Sequence, residues 1–465
     1  MRALLGYSVA SWLSAIIGFI AIPIATRSFD QEIIGKLNLL LSCALILQTV
    51  VLMGLDQGYL RHFFDLKGSR QKNTLLFFCL VIPVVATLLT SLIVFLFSDF
   101  VISFFDASGI LICFALVLAL SSFVIVRITI CYCRVKGFLP LFILLSVAFT
   151  ILTKCPYLLN FGNKSLDSTL KIMSAIFICA VILSAAVMLP DIKGFSFHYL
   201  RKIDYGAILR YSLPMMPAML LANLNTYVPQ FSIKLFSGYA DLGVYSMSAT
   251  VASVVGLVSA GVNSFWPTYV YEHYDDHHDT VILFHKVLVS ALFVLGVVLI
   301  SLRFMVPWFL GERYEQSATL FAVLIISPIC YSIGETSGIG IQIAKRSRFY
   351  LFIYSAGLVL NVILATGLTA IFGMIGSAIS VAAVAMLMLF LKTSVGNKYY
   401  DSIGSFRWST TCVLLLVLQA VSAIMLPYAC SVIGCIASVV LFPLVVGIQD
   451  CRSTLSTVYS YIRKK

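Results

Sequence analysis

The sequence predicts an all-α protein that crosses a membrane about fourteen times, and three observations carry that prediction. Apolar stretches of about 20 residues follow one another along the 465-residue chain, and a helix of that length matches the hydrocarbon core of a bilayer at about 1.5 Å rise per residue. Hydrophobic residues make up 61% and charged residues 11%, and the mean hydropathy is +1.03, whereas a soluble domain carries about 25% charged residues. Lys and Arg also alternate in abundance between successive connectors, as the positive-inside rule requires.

The spans follow in order. Residues 4–26 are too long for the apolar part of a signal peptide and lack a small-residue cleavage site, so they read as the first span rather than a removed leader. The polar connector Arg27, Asp30, Glu32 and Lys36 reads as a solvated loop and leads into 35–53. A basic connector holding Arg61, Lys67, Arg70 and Lys72 precedes 73–96, and 109–133, 139–161 and 169–189 complete a first set of six. After a polar connector, 208–236 is interrupted by Pro214, Pro217 and Pro229, and 242–269 and 280–306 follow. The connector between those two, from Glu272 to Asp279, is acidic and His-rich; it reads as a solvated loop rather than a metal site. The spans 318–344, 348–372, 375–391, 408–427 and 431–448 close the series.

With the N-terminus inside, the cytoplasmic connectors and the two ends hold roughly three times as many Lys and Arg as the other face, which places both termini in the cytoplasm. Lys286 and Lys392 count among these connector cations, and the two cations left over from the tally, Arg127 and Lys154, fall inside spans. The net charge of +12 is therefore membrane-flanking charge, with no nucleic-acid partner implied. The twelve cysteines lie almost all in apolar stretches, without zinc-site or disulfide spacing, and read as small apolar fillers.

The chain restarts its pattern after the sixth span. Tyr7-Ser8 recurs as Tyr211-Ser212, Gly35 as Gly243 and Gly54 as Gly261, at intervals of about 204 to 208 residues. Six spans return the chain to the face it left, so the repeat is parallel, about an axis along the membrane normal. The expected organisation is an N-terminal lobe at 1–190, a cytoplasmic linker at 191–207, a C-terminal lobe at 208–400, and two added helices with a basic tail at 401–465. Two such lobes rocking about a central cavity suit a transporter. No nucleophile–base arrangement, phosphate-binding glycine loop or ATP motif occurs, so neither an enzyme nor a cofactor or metal is expected.

A charge at hydrocarbon depth costs about 2.5–3.5 kcal/mol on insertion scales and so needs a cavity, a partner or a role. Arg127 and Lys154 are candidates for gripping an anionic group, against a reading in which they reach toward the nearer interface. Glu335, in Gly334-Glu335-Thr336, is a candidate for ion coupling, because a carboxylate away from water can carry a proton near neutral pH. Asp56 and Arg61 lie near the cytoplasmic end of the second span as a gate pair or headgroup contact. In the seventh span Asn223, Asn225, Tyr227 and Gln230 cluster between prolines, and Asn263 and Trp266 follow in the eighth; amides and aromatic rings there suit sugar hydroxyls, or else hydrogen-bond between helices.

Three stretches resemble the Wzx-type O-antigen flippases of the multidrug/oligosaccharidyl-lipid/polysaccharide exporter superfamily. They are Gly54-Leu55-Asp56 with Arg61-His62-Phe63-Phe64; Tyr211-Ser212-Leu213-Pro214 with Gly243-Val244-Tyr245-Ser246 and Phe265-Trp266-Pro267; and Leu360-Asn361-Val362 with Phe372-Gly373-Met374-Ile375-Gly376. Many relatives carry an Asp-Arg pair late in the seventh span where this chain has Pro229-Gln230. The resemblance implies movement of an undecaprenyl-diphosphate-linked oligosaccharide, such as an O-antigen or other surface polysaccharide unit used in lipopolysaccharide biosynthesis, across the bacterial inner membrane. Membrane lipid, a polysaccharide polymerase and a chain-length regulator are the partners it implies. The alternatives are an ion-coupled drug or cation antiporter of the same superfamily and, from another class, a membrane-embedded glycosyltransferase or polymerase.

Overall fold

The computed structural model describes residues 2–159, 165–195, 203–273, 276, 278–344, 346 and 348–463, and among these all regular structure is helical. By length and composition nine of the described helices can cross a membrane, or ten if a bent pair near the C-terminus counts as one span. The shortfall from fourteen comes from the first and fifth predicted spans, described only in part, from a polar seventh, and from the eleventh and twelfth, which count as one long bent element. The chain is a polytopic all-α membrane protein. Two compact units divide it, Met1–Tyr227 and Val228–Lys465.

The first unit contains α1 (Arg2–Ser28), α2 (Gln31–Leu52), α3 (Leu55–His62), α4 (Ser69–Leu96), α5 (Ser98–Phe104), α6 (Leu111–Lys136), α7 (Leu139–Leu159), α8 (Leu166–Lys193) and α9 (Tyr205–Ser212). The following helix, α10 (Met215–Phe236), carries the division between the units. Helix α6 is central, packing on α2, α4, α7 and α8. Its most apolar window is 61% buried, against 22% for α4 and 33% for α8, so α4 and α8 turn broad faces outward to lipid. All three are apolar nearly all round, and only their neighbours decide which side is buried. A core of Leu55, Tyr59, Cys79, Val124, Ile128 and Met188 ties α3, α4, α6 and α8 together. Cys79, Cys131 and Cys133 lie in it as free, buried thiols.

The second span ends in a sharp break. Met53 and Gly54 both take left-handed backbone, with φ of 50° and 72°, and α3 starts in a new direction. Gly54 and Gly58 lie so close to Ser212 that a Cβ at either would collide with it. The glycines of the Gly54-Leu55-Asp56-Gln57-Gly58 motif therefore let α9 pack on α3, which keeps the start of the seventh span with the first unit.

The second unit continues with α11 (Tyr239–Ala252), a 3₁₀ turn at Ser253–Val255, α12 (Gly256–His273), α13 (His278–Ser301) and α14 (Met305–Leu310). Three short helices, α15 (Ser317–Leu324), α16 (Ile326–Ser337) and α17 (Ile339–Ile343), together make the tenth span, whose most apolar window is 78% buried. Helix α18 (Arg348–Asn397) has 50 residues, about twice what a bilayer needs. It breaks at Gly373, with φ 58° and ψ −143°. Gly376 presses on the backbone of Leu368, and the hydroxyls of Thr369 and Ser377 lie 2.5 Å apart, so the two halves fold back as two spans. Then come α19 (Arg407–Met425), α20 (Tyr428–Val446) and α21 (Ile448–Arg463). The chain turns by 91° between α20 and α21, with Gly447 at φ 113°.

The contact at Gly54 predicts the effect of one methyl group. Gly54→Ala should lose about 1–2 kcal/mol to left-handed backbone alone, and more to collision with Ser212. Gly367→Ala, in a helix with open space around it, should leave stability unchanged or slightly raised. Thermal unfolding of the two purified variants in the same detergent measures the difference, and equal midpoints would refute the packing described.

Candidate functional site

Two charge clusters occupy the interiors of the two units. In the first, the break before α3 puts Asp56 in the opening turn of that helix, where the partial positive charge of the helix start favours a carboxylate. Asp56 is 1% exposed. Arg127, from the middle of α6, donates from Nε to Asp56 Oδ2 at 3.0 Å, and the neighbouring Gln57 amide donates to the same oxygen at 2.8 Å. Asp56 Oδ1 is buried without a hydrogen-bond partner among the described residues.

The pairing is asymmetric, and its chemistry follows from that. The Arg127 side chain is 41% exposed while Asp56 is enclosed. Only Nε is engaged, so Asp56 fixes the plane of the guanidinium, and the two Nη nitrogens make no hydrogen bond to another described residue. That free edge has the fork geometry that grips a carboxylate or phosphate through two parallel hydrogen bonds. Farther along α6, Lys136 and Tyr132 both reach Asp191 on α8, at 2.5 and 3.0 Å.

The expected pairing of Asp56 with Arg61 does not form. Arg61 is exposed and bonds Asp65 one turn on, at 3.2 Å, and His62 reaches the same carboxylate at 3.3 Å. An exposed pair of this kind contributes about 0–1 kcal/mol. Asn223 donates to Thr49 Oγ1 at 2.6 Å, joining α10 to α2, and Asn225 donates to the carbonyl of Leu221 within its own helix. Tyr227 and Gln230 are half-buried. The side chains of Lys154 and Asn263 lie outside the described residues. Trp266, read as a sugar contact or an interhelical one, is enclosed, its ring stacked on Phe284 at 4.1 Å and on Tyr269 at 5.9 Å.

In the second unit Glu335 meets a partner that the sequence pattern places elsewhere. The pattern puts Lys392 in a connector, but α18 continues six residues beyond the predicted span end at 391, and Lys392 lies 3% exposed in its interior. Its Nζ is 3.3 Å from Glu335 Oε1 and 5.7 and 5.8 Å from the ring centres of Tyr350 and Tyr354. Glycines set this approach. Gly338 touches the Lys392 stem, and Gly340 lies against the backbone of Gly396, the small-residue packing common between membrane helices. A signal was present: Leu389, Lys392, Thr393 and Gly396 continue one helical face. Nearby, the buried His285 bonds Thr336 at 2.8 Å and Ser409 at 3.0 Å, tying α13 to α16 and α19.

The clusters have inverted polarity. Arg127 and Glu335 are 208 residues apart, the same interval that separates Gly35 from Gly243. In the fourth and tenth spans respectively, one unit exposes a cation held by a buried acid. The other exposes an acid, 23% accessible, held by a buried cation.

Removing one member of the first pair strands the other. Arg127→Ala leaves Asp56 buried and unpaired, and should lower stability by less than the roughly 3–5 kcal/mol of a fully enclosed pair, since Arg127 is partly solvated. Asp56→Ala together with Arg127→Ala should recover most of that loss. Unfolding midpoints of the single and double variants measure the coupling, and additive losses would refute the pairing.

No protein-family model and no curated protein sequence matches the chain. Solved structures do. A lipid II flippase, MurJ, in an inward closed conformation aligns with a TM-score of 0.69 at 13% identity, over 95% of this chain and 98% of that one. An inward-facing multidrug resistance MATE family transporter of the MOP superfamily aligns with a TM-score of 0.54 at 12% identity, over 83% of this chain and 94% of that one. A point mutant of the MATE transporter VcmN from Vibrio cholerae aligns with a TM-score of 0.50 at 13% identity, over 87% of this chain and 95% of that one. At these identities the likeness is one of fold: the chain has the helical architecture shared by a lipid II flippase and by MATE transporters.

Proposed function

We propose that this protein is a flippase for a polyprenyl-diphosphate-linked oligosaccharide, an O-antigen or related surface polysaccharide unit, carried from the cytoplasmic to the outer leaflet of a bacterial inner membrane by alternating access. The observation that carries this reading is the Arg127 guanidinium, held through Nε by a buried Asp56 and presenting its two Nη nitrogens. A diphosphate linkage is the anionic part of such a substrate, and it suits that edge. The fold shared with a lipid II flippase over nearly the whole chain supports the lipid-linked class, as do the Wzx-like stretches of the sequence. Lys154 is assigned to the same substrate path, and Asn223, Tyr227 and Gln230 to contacts with sugar hydroxyls.

Glu335 is assigned to energy coupling. Its paired Lys392 holds it at one oxygen, and a proton or cation competing for Glu335 would release that lysine. The same acid, with the MATE-like fold, favours the second reading, an ion-coupled antiporter for drugs or cations. The two readings differ in what Arg127 should do: a guanidinium favours an anionic cargo and opposes a cationic one.

Complementation of a strain lacking its O-antigen flippase, normalised to membrane protein level, separates them. Wild type should restore surface polymer. Arg127→Lys should restore it only in part, because a point charge replaces a fork, and the stabilised Asp56→Ala, Arg127→Ala double variant should be at least tenfold less active. Full activity of that double variant would exclude the diphosphate grip and shift weight to the antiporter. Orientation has its own test: reporter fusions in the connector near Lys193 and after Arg463 should both report the cytoplasm, and an external signal at either would overturn the assigned topology.

A further inference from the structure

We infer that the second unit carries a binding site for the headgroup of a zwitterionic phospholipid with a primary ammonium, such as phosphatidylethanolamine, separate from the path of the transported substrate. A cavity of about 350 Å³ lies between the first turns of α13 and α21, the helix that leaves α20 at 91°. Asp279 and Lys286 line it from α13, with Ile282 and Leu283 between them, and Ser453 and Thr454 line it from α21.

The level of this cavity in the membrane follows from its two walls. Helix α13 begins at His278 and carries no charged residue after Lys286, which assigns its first two turns to the height of lipid headgroups. Lys286 sits over the Trp408 ring, 5.7 Å from its centre, and tryptophan favours that interfacial layer. Helix α21 alternates apolar with polar residues, its first two turns holding Ile448 and Cys451 beside Gln449, Asp450, Arg452, Ser453 and Thr454. After a right-angle turn out of a membrane span, such a helix lies along the interface.

The order of groups in the cavity matches the order of groups in the lipid. Asp279 is at the outer end of α13, and Lys286 is seven residues deeper, about 10 Å along the axis. A phosphoethanolamine headgroup presents its ammonium toward water and joins its phosphate to the glycerol below. Asp279 thus meets the ammonium and Lys286 the phosphate, while the Ser453 and Thr454 hydroxyls on the other wall donate to the Asp450 carbonyl at 2.9 and 2.8 Å, which leaves their oxygens as acceptors for the ammonium. Ile282 and Leu283 cover the methylenes between. No carboxylate among the described residues lies within ion-pair distance of Lys286; its ammonium rests on the Trp408 ring, a contact that leaves N–H donors for an anionic ligand. A headgroup without an amine would leave Asp279 facing an anionic lipid, which is unfavourable.

Native mass spectrometry of the purified full chain, equilibrated with equal amounts of dioleoyl-phosphatidylethanolamine and dioleoyl-phosphatidylglycerol, tests this. Wild type should retain the ethanolamine lipid about tenfold better, the size of one charge-assisted hydrogen bond. Asp279→Asn should bring the two lipids near parity, and Lys286→Gln should lower retention of both. Free glycerophosphoethanolamine should displace lipid from the wild type better than glycerophosphoglycerol, which tests the site without any substitution. Equal retention of both lipids by wild type, an unchanged preference in Asp279→Asn, or no difference between the two competitors would each overturn the proposal.

Discussion

Ionised side chains held at hydrocarbon depth without a partner are rare in membrane proteins, because water is absent to solvate them and each costs several kcal/mol. In this protein two of the deepest charges carry their counter-charges with them. Asp56 is enclosed because Arg127 and Gln57 hold it, and Arg127 can sit in the middle of α6 because Asp56 lies behind it. Glu335 and Lys392 meet the same constraint in the other unit. A buried pair of this kind is poor evidence for stability as such, since an apolar replacement of the same volume often does as well. Its retention is better explained by what the partly exposed member can do.

The glycines follow from that constraint. Asp56 reaches Arg127 because the chain breaks at Met53 and Gly54 and restarts as α3 in a direction that packs on α9. Lys392 reaches Glu335 because Gly338 and Gly396 bring α16 and α18 nearly into backbone contact. In lipid there is no hydrophobic drive for helices to associate, so close approach and hydrogen bonding must hold them. Small residues at these crossings bring two spans near enough for a short side chain to meet a long one.

The two clusters have inverted polarity. Here the fourth span keeps an arginine and the tenth a glutamate, each neutralised by a residue from a different neighbour, Asp56 just after the second span and Lys392 late in the twelfth. The partly exposed member is thus a cation in one unit and an acid in the other.

The sequence by itself determined the membrane-spanning all-α class and the positions of most spans, because hydrocarbon thickness sets span length. Breaks were less legible: Pro217 and Pro229, expected to interrupt the seventh span, lie inside the continuous helix α10, while left-handed glycines such as Gly54 and Gly447 mark the breaks that form. The sequence also exposed Arg127 and Glu335, because a charge inside an apolar run is visible without a structure. Tertiary structure alone decided their partners. Asp56 and Arg127 are 71 residues apart and Glu335 and Lys392 are 57 apart, and no periodicity links residues on different helices. Lys392 was obscured because a lysine at the edge of an apolar run resembles an interfacial anchor until its neighbours are known. Trp266 illustrates the converse: an aromatic ring suits a sugar and a core equally, and its packing against Phe284 and Tyr269 is visible only in the tertiary structure.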